Sequence, residues 1–193
     1  MRHNRVIQWF ALGTLGVSLA WGGSLNFSGS FAKDDDIQVF TYRVQNTGVV
    51  NVFTTSFATG GFSPVLSLFD ATGGFQFFDS GYANNTEASL SWNSIGGSSY
   101  LIVLTQYDNF PIGNLADGFT EQGNGNFTAI PPFNNPGFGT SFLLPGPEQR
   151  TGQWAVTIQS DDPTLTGGMV PEPASAWLVV VGVAGLLCRR SKF

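Results

Sequence analysis

The sequence predicts an all-β fold, an antiparallel two-sheet sandwich (jelly-roll-like) of about eight strands, flanked by an N-terminal signal helix and a C-terminal transmembrane helix. Three observations predict it. Short stretches alternate apolar and polar residues at the strand period of two, and clusters of Gly, Asn, Asp and Pro separate them. Between the two apolar ends no long 3.6-residue periodicity occurs, so nothing competes with strands for the middle of the chain.

In chain order, Met1-Arg2-His3-Asn4-Arg5 is a basic start, and residues 6–21 are mostly apolar, broken by Gln8, Thr14 and Ser18. Ser18-Leu19-Ala20 puts small residues where a signal peptidase reads, so residues 1–23 are expected to be a signal peptide cut near Ala20 to Gly23. The next segment, 24–160, is expected to be the sandwich domain. Residues 26–31 place Phe27 and Phe31 on one face, and after Lys33-Asp34-Asp35-Asp36 the run 37–45 places Phe40, Tyr42 and Val44 on one side. Asn46-Thr47-Gly48 is a turn, and 49–57 resumes the strand, which predicts a hairpin. The buried face of that second strand stays open, because Val50 and Val52 compete with Val49, Phe53 and Phe57.

Residues 65–69 form a strand ending in the turn Asp70-Ala71-Thr72-Gly73-Gly74, and 75–78 form another. Residues 87–92 alternate with Ala88, Leu90 and Trp92 inward, Gly96-Gly97 turns the chain, and 99–107 is apolar on both faces, as in a central strand. Residues 153–159 set Trp154, Val156 and Ile158 against Gln153, Thr157 and Gln159. Between these strands, 109–150 is rich in Gly, Asn and Pro and carries Phe110, Phe119, Phe127, Phe133, Phe138 and Phe142. Exposed aromatics there would stack on sugar rings, which points to an extracellular polysaccharide; the competing reading makes them a second small core or the cover of a sheet edge. Residues 161–169, with Asp161-Asp162-Pro163 and Gly167-Gly168, read as a linker.

Composition narrows the chemistry. His3 and Cys188 are the only residues of their types, and both lie in the ends. The middle therefore lacks the side chains for Ser-His-Asp or Cys-His catalysis, zinc binding through His or Cys, or a disulfide. Glu87, Glu121 and Glu148 are the remaining acid and base candidates, and no spacing singles them out, so no enzyme is expected. Lys33, Arg43 and Arg150 are the only bases between the ends, which gives that region a net charge of about −10 and excludes nucleic acid as a partner. The carboxylates of Asp34, Asp35 and Asp36, joined by Asp70 and Asp108, are the candidate ligands for a calcium ion, a hard cation that takes six to eight oxygens. The competing reading is a solvated acidic turn that protects a sheet edge.

At the C-terminus, Val170-Pro171-Glu172-Pro173 precedes an uncharged span, 174–188, and then Arg189, Arg190 and Lys192, a basic stop that prefers the cytoplasmic side. Fifteen residues at 1.5 Å each reach roughly 22 Å, short of the ~30 Å hydrocarbon core, which suits a temporary anchor. Residues 170–193 resemble the PEP-CTERM sorting signal of exported bacterial proteins. That resemblance implies transient membrane insertion, recognition of Pro171-Glu172-Pro173 by an exosortase-type membrane processing enzyme, removal of the tail, and delivery to the cell surface or extracellular matrix. The stretches Phe27-Ser28-Gly29-Ser30-Phe31, Asp34-Asp35-Asp36-Ile37-Gln38-Val39-Phe40, Gly61-Phe62-Ser63-Pro64-Val65-Leu66-Ser67-Leu68-Phe69-Asp70 and Leu104-Thr105-Gln106-Tyr107-Asp108-Asn109-Phe110 are similar to an uncharacterised β domain common in such proteins. More remotely they resemble the bacterial pre-peptidase C-terminal domain, a jelly-roll accessory module. The function expected is an exported structural or exopolysaccharide-associated protein; the alternative is a calcium-dependent carbohydrate-binding module.

Overall fold

Nine strands pack as two antiparallel sheets in the computed structural model, which describes residues 22–80, 87–127 and 150–170. They are β1 (Gly23–Ser30), β2 (Gln38–Arg43), β3 (Gly48–Thr54), β4 (Pro64–Asp70), β5 (Phe75–Ser80), β6 (Ser89–Ser94), β7 (Ser99–Gln106), β8 (Gln153–Ser160) and β9 (Thr166–Val170). One sheet runs β1-β8-β3-β6 and the other β5-β4-β7-β2-β9. Consecutive strands alternate between the sheets except at β4–β5, the one hairpin among the described residues.

The alternation read from sequence sets the core. Phe40, Tyr42 and Val44 face inward from one sheet, and Trp154, Val156 and Ile158 meet them from the other. The Trp154 ring stands edge-on to Phe40 at 5.7 Å between centroids, and Phe31 stacks on Phe62 at 5.0 Å. Gly29 is required beneath this cluster, because a Cβ there would collide with the Trp154 ring. Ala88, Leu90 and Trp92 join the core as expected, and β3 turns Val50 and Val52 inward, which decides the face that the sequence left open.

Two expectations are corrected. The strands around Asn46-Thr47-Gly48 form an arch rather than a hairpin: β2 pairs with β7 and β9, whereas β3 pairs with β6 and β8. Either arrangement buries the same alternate residues, so periodicity alone does not choose the partner strand. The linker expected at 161–169 is folded. Asp162 and Leu165 are buried, and β9 adds to the edge of β2 in the register Val39↔Val170 to Arg43↔Thr166, so the sandwich runs to Val170 rather than ending at Ser160. Of the two readings of 109–150, the described part 109–127 follows the second, with Phe119 and Phe127 buried. Phe119 packs on the outer face of the five-stranded sheet against Phe69, with Ile37, Val39 and Val103 in the same cluster. The expected signal helix, the transmembrane span 174–188, Pro171, Glu172, Pro173, Arg189, Arg190, Lys192, Glu148, Phe133, Phe138 and Phe142 lie outside the described residues. Within those residues, no helix is long and apolar enough to cross a membrane.

Candidate functional site

The outer face of the five-stranded sheet is unusually apolar, and its register shows why. Directly paired residues of antiparallel strands share a face. Phe78↔Ser67, Ser67↔Val103, Val103↔Val39 and Val39↔Val170 therefore form one row across the whole sheet. Phe119 and Leu115 cover the middle of that row. Toward β5 the cover changes character: Phe78, 44% exposed, lies 5.4 Å from the Phe110 ring, and Phe110 meets Tyr107 edge-on at 5.3 Å. The segment after β7 holds this trio in place. Asn109 is buried, its carbonyl accepts from Thr105 Oγ1 at 2.6 Å, and its side-chain Oδ1 accepts from the Glu121 amide at 2.9 Å. Phe110 is fixed in turn by its amide, which donates to Thr120 Oγ1 at 2.9 Å.

Asp108 sits between the two aromatics in sequence, and Glu121 is close enough to act on its charge. Burial first, and the Glu121 carboxylate second, push the Asp108 carboxyl above its usual range. The result is a half-exposed aromatic surface beside two acceptor-rich carboxylates. Such a surface offers ring faces to the apolar side of a sugar and oxygen acceptors to its hydroxyl groups.

A separate hollow of about 340 Å³ opens on the same sheet face, between Val39, Leu101 and Ile37 on the floor and Leu115 and Phe119 on the wall. Thr72, Asn114 and Gln122 form its polar rim, and among the described residues none that lines it is charged.

The five candidate calcium ligands are dispersed among structural turns. Asp36 Oδ2 accepts from the amides of Ala32 at 2.6 Å and Lys33 at 2.9 Å, closing its own turn. Asp35 Oδ2 accepts from the Gly123 amide at 3.0 Å, and the Asp34 amide donates to Asn126 Oδ1 at 3.3 Å, so this turn is strapped to 123–126. Asp34 is buried, which corrects the picture of a solvated acidic run. Asp70 accepts from Thr72 and Gly74 at the β4–β5 turn, and the Thr72 hydroxyl first, then the Gly74 amide, hold its carboxyl below the usual range. Among the described residues, no group of three or more His, Cys, Asp or Glu is placed to hold a metal ion. Of the candidate acids, Glu87 accepts from Thr54 Oγ1 at 2.5 Å and the Ala58 amide at 2.8 Å, a structural clamp remote in role from Glu121.

Sequence reasoning missed Asp162. Its buried carboxylate accepts from the amides of Gln45 (2.6 Å) and Asn46 (2.8 Å), from Asn46 Nδ2 (3.1 Å), and from the amide and hydroxyl of Thr164 (2.9 and 2.6 Å). The Thr164 hydroxyl and the Asn46 amide drive its carboxyl far below the usual range. The signal was present, since Asp-Pro-Thr is an Asx-turn sequence. Its partners 116 residues away were not legible. A scan against protein-family models finds no match to this chain, and a search of the curated proteins finds none either.

Proposed function

We propose that this chain is a non-enzymatic, exported cell-surface or extracellular-matrix protein whose jelly-roll sandwich contacts exopolysaccharide through Phe78, Phe110 and Tyr107. The single observation that carries the polysaccharide contact is the half-exposed aromatic trio beside Asp108 and Glu121. The strand orders β1-β8-β3-β6 and β5-β4-β7-β2 support the jelly-roll reading, because nearly every connection crosses between sheets, with β9 as an added edge strand. Export rests on the basic and apolar start at 1–23, cut by signal peptidase, and on the PEP-CTERM-like tail at 170–193, handled by an exosortase-type enzyme.

Two experiments test the reading. Affinity electrophoresis of the purified protein through neutral and acidic polysaccharides is expected to retard the wild type, and F78A and F110A to lose most of that retardation. Equal mobility of all three in every gel would sink the sugar contact. Sorting is tested by intact mass and cell fractionation of wild type and Glu172→Ala. Loss of both ends from the wild type alone supports it, and a retained tail in both refutes it. The calcium-dependent alternative needs carboxylates of the Asp34-Asp35-Asp36 run brought together with Asp70 or Asp108, and among the described residues no observation favours it.

A further inference from the structure

We propose that the outer face of the five-stranded sheet holds a groove for a single-chain amphipathic anion, a long-chain alkyl carboxylate whose head meets Arg43 and whose chain lies over Leu101, Val39 and Ile37. The site is separate from the aromatic trio and does not depend on the sugar contact. A second hollow, also of about 340 Å³, adjoins the one between Val39 and Phe119. Ala71 and Leu101 line both, so the two continue into each other. Strand register places the pair along β2: Thr41 shares its row with Leu101 and Gly168, and Arg43 shares the next with Ser99 and Thr166. From Ile37 to Arg43 the groove runs about 20 Å, at the rise of an extended strand. Gly168 keeps its flank open, since a Cβ there would meet nothing within 4 Å.

Charge and polarity fix the occupant and its direction. Among the described residues, Arg43 is the one charged side chain that lines either hollow, and it is exposed. At the opposite end, Asp34, Asp35 and Asp36 directly precede Ile37, so a negative head is drawn to Arg43 and repelled from the far end. The acids of the overhanging turns are occupied: Asp70 accepts from Thr72 and Gly74, and Asp117 accepts from the Asn114 amide at 2.7 Å. Between the ends, the side chains of Ile37, Val39, Leu101, Leu115 and Phe119 offer neither donor nor acceptor. A sugar ring laid there would bury hydroxyl groups without partners, whereas a methylene chain buries only apolar surface. A polyanion is disfavoured by the net charge of about −10 in the middle of the chain, and a single negative head at Arg43 is not. The wall is pre-formed, because the Leu115 amide donates to the Gly73 carbonyl at 2.8 Å and ties the 115–117 turn to the β4–β5 turn before any ligand arrives.

Photolabelling of the full-length chain in a lipid nanodisc tests this, with hexadecanoate carrying a diazirine at its far end and the label mapped by mass spectrometry. Label is expected at 37–39 and 115–119. Unlabelled hexadecanoate should compete roughly fivefold better than hexadecanol at low salt, the upper range for an exposed ion pair. Octanoate should compete far more weakly than hexadecanoate, because each buried methylene tightens binding several-fold. Arg43→Gln is expected to abolish the preference for carboxylate over alcohol while leaving the label in place, and a preference that survives overturns the proposal. Ala71→Trp, a change in an exposed turn, fills the junction of the two hollows and is expected to lose most of the label with an unchanged melting temperature. Label spread evenly over the surface, or equal labelling of wild type and A71W, overturns the proposal as well. Should A71W fail to fold, R43Q still decides.

Discussion

Two aspartates carry the acid–base behaviour expected of this fold, with opposite signs. The Asp162 carboxyl is held below its usual range by Thr164 and Asn46, so its stabilisation is present above the unfolded value of about 4 and is lost as pH falls. Asp162→Ala is expected to lower the melting temperature sharply at pH 7, with the gap to wild type closing toward pH 2; a gap independent of pH would contradict the assignment. Asp108 is raised by burial and by Glu121, so its ionised form opposes folding and the penalty grows as pH rises through the folded value. Asp108→Asn should therefore melt slightly higher than wild type at pH 7 and equally at pH 3, and a lower melting temperature at pH 7 would show that Asp108 makes a stabilising contact. The difference between the two was not legible in the sequence. Both stand in polar runs, and only the fold decides which gains hydrogen-bond donors and which gains a like charge.

At the scale of elements, inward and outward residues separate cleanly in energy. Trp154→Ala removes the ring that touches Phe40 and Phe31 and is expected to cost about 3–5 kcal/mol in urea unfolding. Gln159→Ala, exposed on the same strand β8, should stay within about 0.5 kcal/mol. Similar losses for both would mean that β8 is shifted by one residue. Periodicity made this much of the fold readable, because alternation in β6 and β8 is clear and their inward Leu90, Trp154, Val156 and Ile158 are buried, whereas β2 also buries Val39 on its outer face. Pairing was not readable, since a turn sequence such as Asn46-Thr47-Gly48 serves a hairpin and an arch equally. The glycines of β9 misled for a related reason: an edge strand added late to a sheet needs few apolar residues, and five with two glycines look like a linker.

For the molecule as a whole, the candidate sugar surface was half legible. Phe110 stood out among its polar breakers, whereas Phe78 read only as part of a short strand, and their 5.4 Å approach depends on packing across the outer sheet face. Among the described strands, almost every pairing is remote in sequence, with β1 joined to β8 in the register Gly23↔Ser160 and only β4–β5 local. Non-local topologies of this kind fold on the millisecond-to-second scale, and stopped-flow refolding of the purified domain is expected to fall there rather than in microseconds.

The same topology orders events in time as the chain is made. Among the described strands β1 emerges first and β8 next to last, so Leu25 and Phe27 have no sheet to join until some 130 residues have followed. The first ninety-odd residues can pair β3 with β6 and β4 with β5, but they leave β1 and β2 as apolar edges without partners, and a helper that shields unpaired strands during synthesis would find its substrate there. The four-stranded sheet can close only once β8 is available, since β8 lies between β1 and β3 and joins two stretches of chain far apart in sequence.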